Sequence, residues 1–211
     1  MGAFERDLDL LLAKLSNGVD KAAENKLSTL RDRLIQLRKQ NVVKINHTVM
    51  ELVCAKHLIS KGYDLDVERL ADGGLTYDLC GVKGYGTLIV EVETGFVPPE
   101  HALDPMTYCK ARIASKIARY SNYADKFGIG TPPHYIVQLP SSFTKAPRFR
   151  SSEELEEIKR LCDLYYKDPP VSLDEIKNAR LHSIYIIDVD TLTTHEMDPT
   201  SYSDNTIFWK Y

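Results

Sequence analysis

Residues 87–94 read Thr-Leu-Ile-Val-Glu-Val-Glu-Thr. On a strand, side chains alternate between faces, so Leu88, Val90 and Val92 share one face while Ile89, Glu91 and Glu93 share the other. The two carboxylates then stand roughly 6.5–7 Å apart along the strand. Both can approach one hard cation at that spacing, and without a cation their mutual repulsion raises a pKa. A half-exposed strand with a polar face gives the same pattern. Asp78 sharpens the choice. It lies inside residues 75–82, where a strand-interior Asp needs a basic cross-strand partner, a strand end or a function. If that segment pairs with 87–94 through Lys83-Gly84-Tyr85-Gly86, Asp78 stands beside Glu91. Glu51 is the third piece: its helical neighbours His47, Thr48, Cys54, Ala55 and Leu58 include no Lys or Arg. A Glu in such company faces inward, where it needs either a hydrogen bond or a metal. Oxygen-only donors favour Mg²⁺ or Mn²⁺ over zinc. Such ions activate water and neutralise charge on a phosphodiester.

The elements that must position these residues are legible from periodicity. Residues 3–16 and 20–40 read as helices, the second with Leu27, Leu30, Leu34 and Leu37 in a short coiled-coil-like seam. That pair either folds back on the core or grips a second subunit. A third helix spans 46–61 and carries Glu51. Alternation over 63–68 predicts a strand, Asp72-Gly73-Gly74 a turn, and 75–82 and 87–94 two further strands. A long helix is expected over 106–127, with a strand at 135–139 after Pro132-Pro133. Capping boxes at Ser151/Glu154 and Ser172/Glu175 announce two more helices, and 184–189 reads as a last strand. The polar tail 191–211 ends in Phe208, Trp209 and Tyr211, expected to dock on the core. Three successive strands suggest an antiparallel meander and the later helix–strand step a parallel crossover. The expected fold class is therefore α/β, a mixed sheet flanked by helices. The expected division is an N-terminal helical arm or dimerisation region over 1–44 and an α/β domain over 45–211.

Bulk properties allow this reading. The 211 residues are 43% hydrophobic and 27% charged, enough for one core without staples. No apolar run reaches membrane-spanning length and no signal-peptide pattern opens the chain, so the expected location is the cytoplasm. Cys54, Cys80, Cys109 and Cys162 form no CxxC pair and read as buried thiols. The net charge of −3 is unevenly spread. Residues 21–46 hold seven cations against two carboxylates, 47–106 ten carboxylates against four cations, and 107–126 five cations against one carboxylate. An acidic centre between basic flanks suits a metal site beside a polyanion track, and equally suits ordinary surface charge mixing. Arg112, Lys116, Arg119 and Tyr123 share a helix face, and Lys145, Arg148 and Arg150 share a loop. Either group fits phosphate contacts or plain solvation. The glycines at 81, 84 and 86 fit no phosphate loop, the histidines no zinc spacing, and no GxSxG is present.

The helix carrying Glu51, the meander with Asp78 and the Glu91-Val92-Glu93 strand resemble the core of the PD-(D/E)XK (restriction-endonuclease-like) nuclease superfamily, over about residues 45–140. The resemblance implies that Asp78 and Glu91 hold Mg²⁺ or Mn²⁺, that Glu51 assists, and that the substrate is DNA, with RNA not excluded. Tyr77 stands where the motif has Pro. Glu93 stands where the family usually has its catalytic Lys. Some restriction endonucleases carry Glu there, so Glu93 joins the expected catalytic set. A migrated lysine is the other solution, with Lys83, Lys110 and Lys116 as candidates. Size and helical front end resemble nuclease-like proteins of archaeal spindle-shaped viruses and small junction-resolving nucleases, which would place the chain in a host cytoplasm. The leucine seam and a duplex substrate lead to the expectation of a homodimer. The rival readings are a catalytically inactive nuclease-fold module that binds nucleic acid or protein, and a helical-arm assembly protein whose carboxylates are structural.

Overall fold

The computed structural model describes residues 2–40, 45–70 and 74–207. Helices α1 (Ala3–Leu15), α2 (Lys21–Lys39) and α3 (Ile45–Ser60) precede the strands β1 (Asp64–Leu70), β2 (Thr76–Lys83) and β3 (Gly86–Val92). Then come α4 (Pro105–Tyr120), β4 (Lys126–Thr131), α5 (Ser152–Asp163), α6 (Leu173–Asn178), β5 (Ser183–Asp188), β6 (Thr193–Met197) and α7 (Pro199–Ile207). The six strands form one sheet in sequence order. β1, β2 and β3 are antiparallel neighbours, β3, β4 and β5 are parallel, and β6 returns antiparallel to β5. The α/β class and the meander followed by a parallel crossover are as the sequence implies. Ser151 and Ser172 cap α5 and α6 through the expected boxes.

Two helical layers cover the sheet. On one face Leu88, Val90 and Val92 of β3 meet α1, α2 and α3; on the other Ile89 meets Ile113 and Ile117 of α4. The leucine seam is spent inside the chain. Leu27, Leu30, Leu34 and Leu37 are buried with Leu8, Leu11 and Leu15 in the same core as Leu52 and Leu58 of α3. Arg31–Asp9 at 2.8 Å, Lys39–Glu5 at 2.8 Å and a Lys26–Asp64 pair tie α2 to α1 and β1. Each buried leucine contributes about 1.5–3 kcal/mol relative to exposure, so this pair of helices is core, not a free arm. The seam therefore no longer supplies the motive for a homodimer. The boundary expected near residue 44 lies outside the described residues, as does the docking expected of the 208–211 tail and most of the turn at 72–74.

Three elements differ from the sequence expectation. The long helix ends at Tyr120, and Phe127, inside the helix expected over 106–127, belongs to β4. Gly128 and Gly130 hid this strand. They are there because β5 leans over them: a Cβ at Gly128 would lie 2.6 Å from the Tyr185 ring, and one at Gly130 would lie 2.7 Å from Ile187 Cδ1. Residues 135–139 are irregular rather than a strand and pair with no strand of the sheet. This stretch is held instead by α7, whose Tyr202 hydroxyl accepts the Val137 amide at 3.0 Å. The region read as a polar tail, to which no helix or strand was assigned, supplies β6 and α7.

Candidate metal centre

The centre lies where β2 and β3 stop pairing. Their register runs to Leu79↔Val90, which puts Asp78 opposite Glu91. At that level the side chains take over from the backbone. Asp78 N donates to Glu91 Oε1 at 3.2 Å, and Val92 N donates to Asp78 Oδ2 at 2.6 Å. On its other side Asp78 falls opposite Glu68, which drops out of the β1–β2 ladder between Val67↔Leu79 and Arg69↔Tyr77. Glu68 has φ +48°, an uncommon conformation for a residue with a side chain. Asp78 thus occupies an opening in the sheet with a gap on either flank.

α3 closes the opening from one face. Glu51 is 0% exposed, and neither carboxylate oxygen has a hydrogen-bond partner among the described residues. Burial pushes its pKa well above the usual carboxylate range, and the charges of Asp78, Glu68 and Glu91 push the same way. One turn earlier, half-buried His47 shares its face. Burial holds the His47 imidazole below its ordinary pKa, opposed by the charge of Asp78. One ligand atom each from His47, Glu51 and Asp78 lie within 4.8 Å of one another. A neutral imidazole and two carboxylates around buried, unpartnered oxygens fit a divalent cation.

α4 closes it from the other face. Glu91 and Glu93 are 2% and 1% exposed. Lys116 Nζ lies 3.0 Å from Glu91 Oε2 and 2.7 Å from Glu93 Oε1. Arg112 grips Glu93 with two nitrogens, at 2.7 and 3.2 Å, and donates to Phe96 O at 2.7 Å. Burial raises Glu91 to about 8 against the opposing charge of Lys116. Burial also works against the Lys116 ammonium, but the charges of Glu91, Glu93 and Asp78 outweigh it and hold its pKa well above normal. Tyr120, one turn on, is pushed up to about 12 by burial and then by the Glu91 charge.

The structure therefore brings Glu51, Asp78, Glu91 and Glu93 together, and of the three lysines considered Lys116 alone pairs with Glu91 and Glu93 among the described residues. Lys83 lies over the Tyr63 ring, 5.8 Å from its centroid, at the far end of the strands. His47 was missed as a candidate ligand, although its place four residues before Glu51 was the available signal. The oxygen-only donor set expected from sequence thus gains a candidate nitrogen donor.

The basic residues expected to bind nucleic acid divide differently. Arg112 and Lys116 are engaged with carboxylates. Arg119 donates to Pro169 O and lies over the Tyr166 ring, 5.6 Å from its centroid. Tyr123 is 50% exposed and packs against Tyr77. Lys145 pairs with Glu154 at 2.6 Å, and Arg148 is exposed over Phe149. Arg150 is corrected most sharply. It is 8% exposed, and its guanidinium donates to the carbonyls of Ser142, Lys145, Ile176 and Ala179, so it clamps the loop rather than facing a ligand. Lys145 and Arg148 border Arg180 and His182, which lead into β5 where β4 begins, away from the carboxylates at the end of β3.

No family model and no curated protein matches the chain. Among solved structures, a chain of the "CdiA-CT/CdiI toxin and immunity complex from Burkholderia pseudomallei" is similar at 15% identity and a TM-score of 0.30, over 73% of this chain and 86% of that one. A likeness at that level carries no argument about activity. No helix among the described residues is long and apolar enough to cross a membrane.

Proposed function

We propose that this chain is a divalent-metal-dependent nuclease that hydrolyses phosphodiester bonds in DNA. The observation that carries the reading is Glu51, a fully buried carboxylate with two unpartnered oxygens, facing His47 and Asp78 in an opening of the sheet. His47, Glu51 and Asp78 would hold the ion, with Glu91 tied to Asp78 beside them. When bound, the ion would supply Lewis acidity toward a phosphoryl oxygen and a more acidic water. Glu91 and Glu93 hold Lys116 in place, and their charges keep its Nζ protonated. It can therefore stabilise negative charge on a phosphodiester and take the role that Glu93 vacates in the motif. Mg²⁺ and Mn²⁺ suit the carboxylates, and the imidazole widens the choice to later transition ions.

The same ion pairs favour a second reading. With Lys116 bonded to two carboxylates, the cluster also fits a nuclease-shaped binding module that cleaves nothing. Cleavage of plasmid, linear, single-stranded and branched DNA, with RNA in parallel, separates the two. The wild type in Mg²⁺ or Mn²⁺ is expected to cut at least one of these substrates. Lys116→Met and the Asp78→Asn/Glu91→Gln pair are expected to lose at least a factor of roughly 10². Intact substrates throughout, from a protein that still folds, would remove the hydrolase reading.

A further inference from the structure

A second polar site lies beyond the other end of α3. The pocket is about 340 Å³ and is lined by Lys61, Tyr63, Lys83, Lys126, Tyr185 and Glu196. Its three lysines come from three places in the chain: the turn after α3, the β2–β3 hairpin and the first residue of β4. Lys61 pairs with Glu196, whose carboxylate also accepts from Ser183 Oγ at 2.7 Å and from the Tyr185 hydroxyl at 3.3 Å. The one carboxylate in the pocket is thereby already neutralised.

Lys83 and Lys126 have no carboxylate partner among the described residues, and both are exposed. The neighbouring Asp125 is engaged elsewhere, accepting from the Thr87 amide and hydroxyl at 2.8 and 2.9 Å. Lys83 is nevertheless drawn inward. It lies over the Tyr63 ring, and its Nζ would be 4.0 Å from a Cβ placed on Gly62. The carbonyls at the end of α3 are spent on the amides of Lys61, Gly62 and Tyr63, so they present little negative charge to the pocket. Converging ammonium groups repel unless an anion sits among them.

We infer that this pocket binds a phosphate group, through the ammonium groups of Lys83 and Lys126 with Lys61 as the third donor. Two sources share that chemistry: a free phosphate or mononucleotide, and a backbone phosphodiester of a nucleic acid. The pocket lies apart from the carboxylates: from Lys83 to Asp78 is five residues of β2, about 17 Å at roughly 3.3 Å each, and α3 covers that stretch.

The test measures binding in excess chelator, where no cleavage occurs, so it stands apart from the hydrolase reading. Lys83→Gln/Lys126→Gln is compared with wild type and with a control, Lys14→Gln/Lys177→Gln, which removes two exposed lysines elsewhere. Inorganic phosphate and a 5′-mononucleotide are titrated by calorimetry, and a 20-base-pair duplex and a single strand by fluorescence anisotropy. A tenfold or greater loss of affinity in the pocket variant alone is expected. If the loss appears with the small phosphates, the site takes free phosphate. If it appears only with the polymers, with a salt slope shallower by about 1.8 for the duplex, the source is the backbone. Binding by none of the probes, or equal affinities for both variants, would overturn the inference.

Discussion

Glu51 and Glu93 are equally withdrawn from water, 0% and 1% exposed, yet they meet the cost of burial in opposite ways. Glu93 is surrounded by the chain's own cations, Arg112 and Lys116, at 2.7 Å each. Glu51 has no donor for either oxygen among the described residues and feels the charges of three further carboxylates. A fold that only needed a stable core would not leave one carboxylate saturated and its neighbour bare. On the proposed reading the bare one is where a cation from solution would sit, and the saturated one is where the protein supplies its own. The same substitution, Glu to Gln, should therefore have opposite consequences at the two positions.

The largest effect belongs to Glu93→Gln. It leaves Arg112 half-buried without its carboxylate and Lys116 with only Glu91. A loss of about 3 kcal/mol is expected. For a chain of this length that lowers the midpoint by roughly 6–12 °C, read by thermal denaturation in chelator. A change within about 0.5 kcal/mol, the range of ordinary surface substitutions, would mean the ion pairs are incidental and the contrast with Glu51 is empty.

Next is the gain from metal. Wild type at a hundredfold excess of Mn²⁺ over its dissociation constant should be stabilised by about 2.7 kcal/mol. Glu51→Gln should show none of this, while Glu93→Gln should keep most of it from a lower baseline. In chelator at pH 8, Glu51→Gln should itself be more stable than wild type by about 1–2 kcal/mol, since it removes an ionisable group that burial and three neighbouring carboxylates disfavour. Should Glu51→Gln instead destabilise the protein in chelator, Glu51 has an internal partner and the ion is unnecessary.

The contrast explains how far the sequence could be read. Glu51 was legible because its helical neighbours lack a base, and the β2–β3 pairing was legible from alternation broken by Lys83-Gly84-Tyr85-Gly86. What the alternation did not show is that backbone pairing stops one residue short of Asp78, where the Asp78 and Glu91 side chains take the Val92 and Asp78 amides instead. β4 was invisible because its glycines make room for Tyr185 and Ile187, a requirement written in β5 and not in β4. Arg150 was misread because charge does not state direction: its arginine chemistry is spent on four carbonyls inside the loop, and burial lowers its pKa to about 10. The leucines of α2 were read correctly as a buried stripe, but an intrachain and an interchain partner bury the same stripe. Only the packing against α1 and α3 distinguishes them.

The smallest effect should come from His47, and it bears on which cation the bare side of the centre accepts. Glu51 and Asp78 offer oxygens that any divalent ion accepts, whereas an imidazole nitrogen raises affinity along the transition series and does little for Mg²⁺. Burial favours the neutral form of His47, the form that binds metal. His47→Ala is therefore expected to weaken Co²⁺ about tenfold, roughly 1.4 kcal/mol, while Mg²⁺ changes by less than about threefold. Isothermal titration of each ion into both proteins reads this directly, without any substrate. An equal loss for both ions would make His47 a residue that shapes the opening between Glu51 and Asp78, and an unchanged Co²⁺ affinity would place it outside the ligand set. A loss confined to Co²⁺ would show that the centre is built from α3 as much as from the sheet, because His47 and Glu51 occupy successive turns of that one helix.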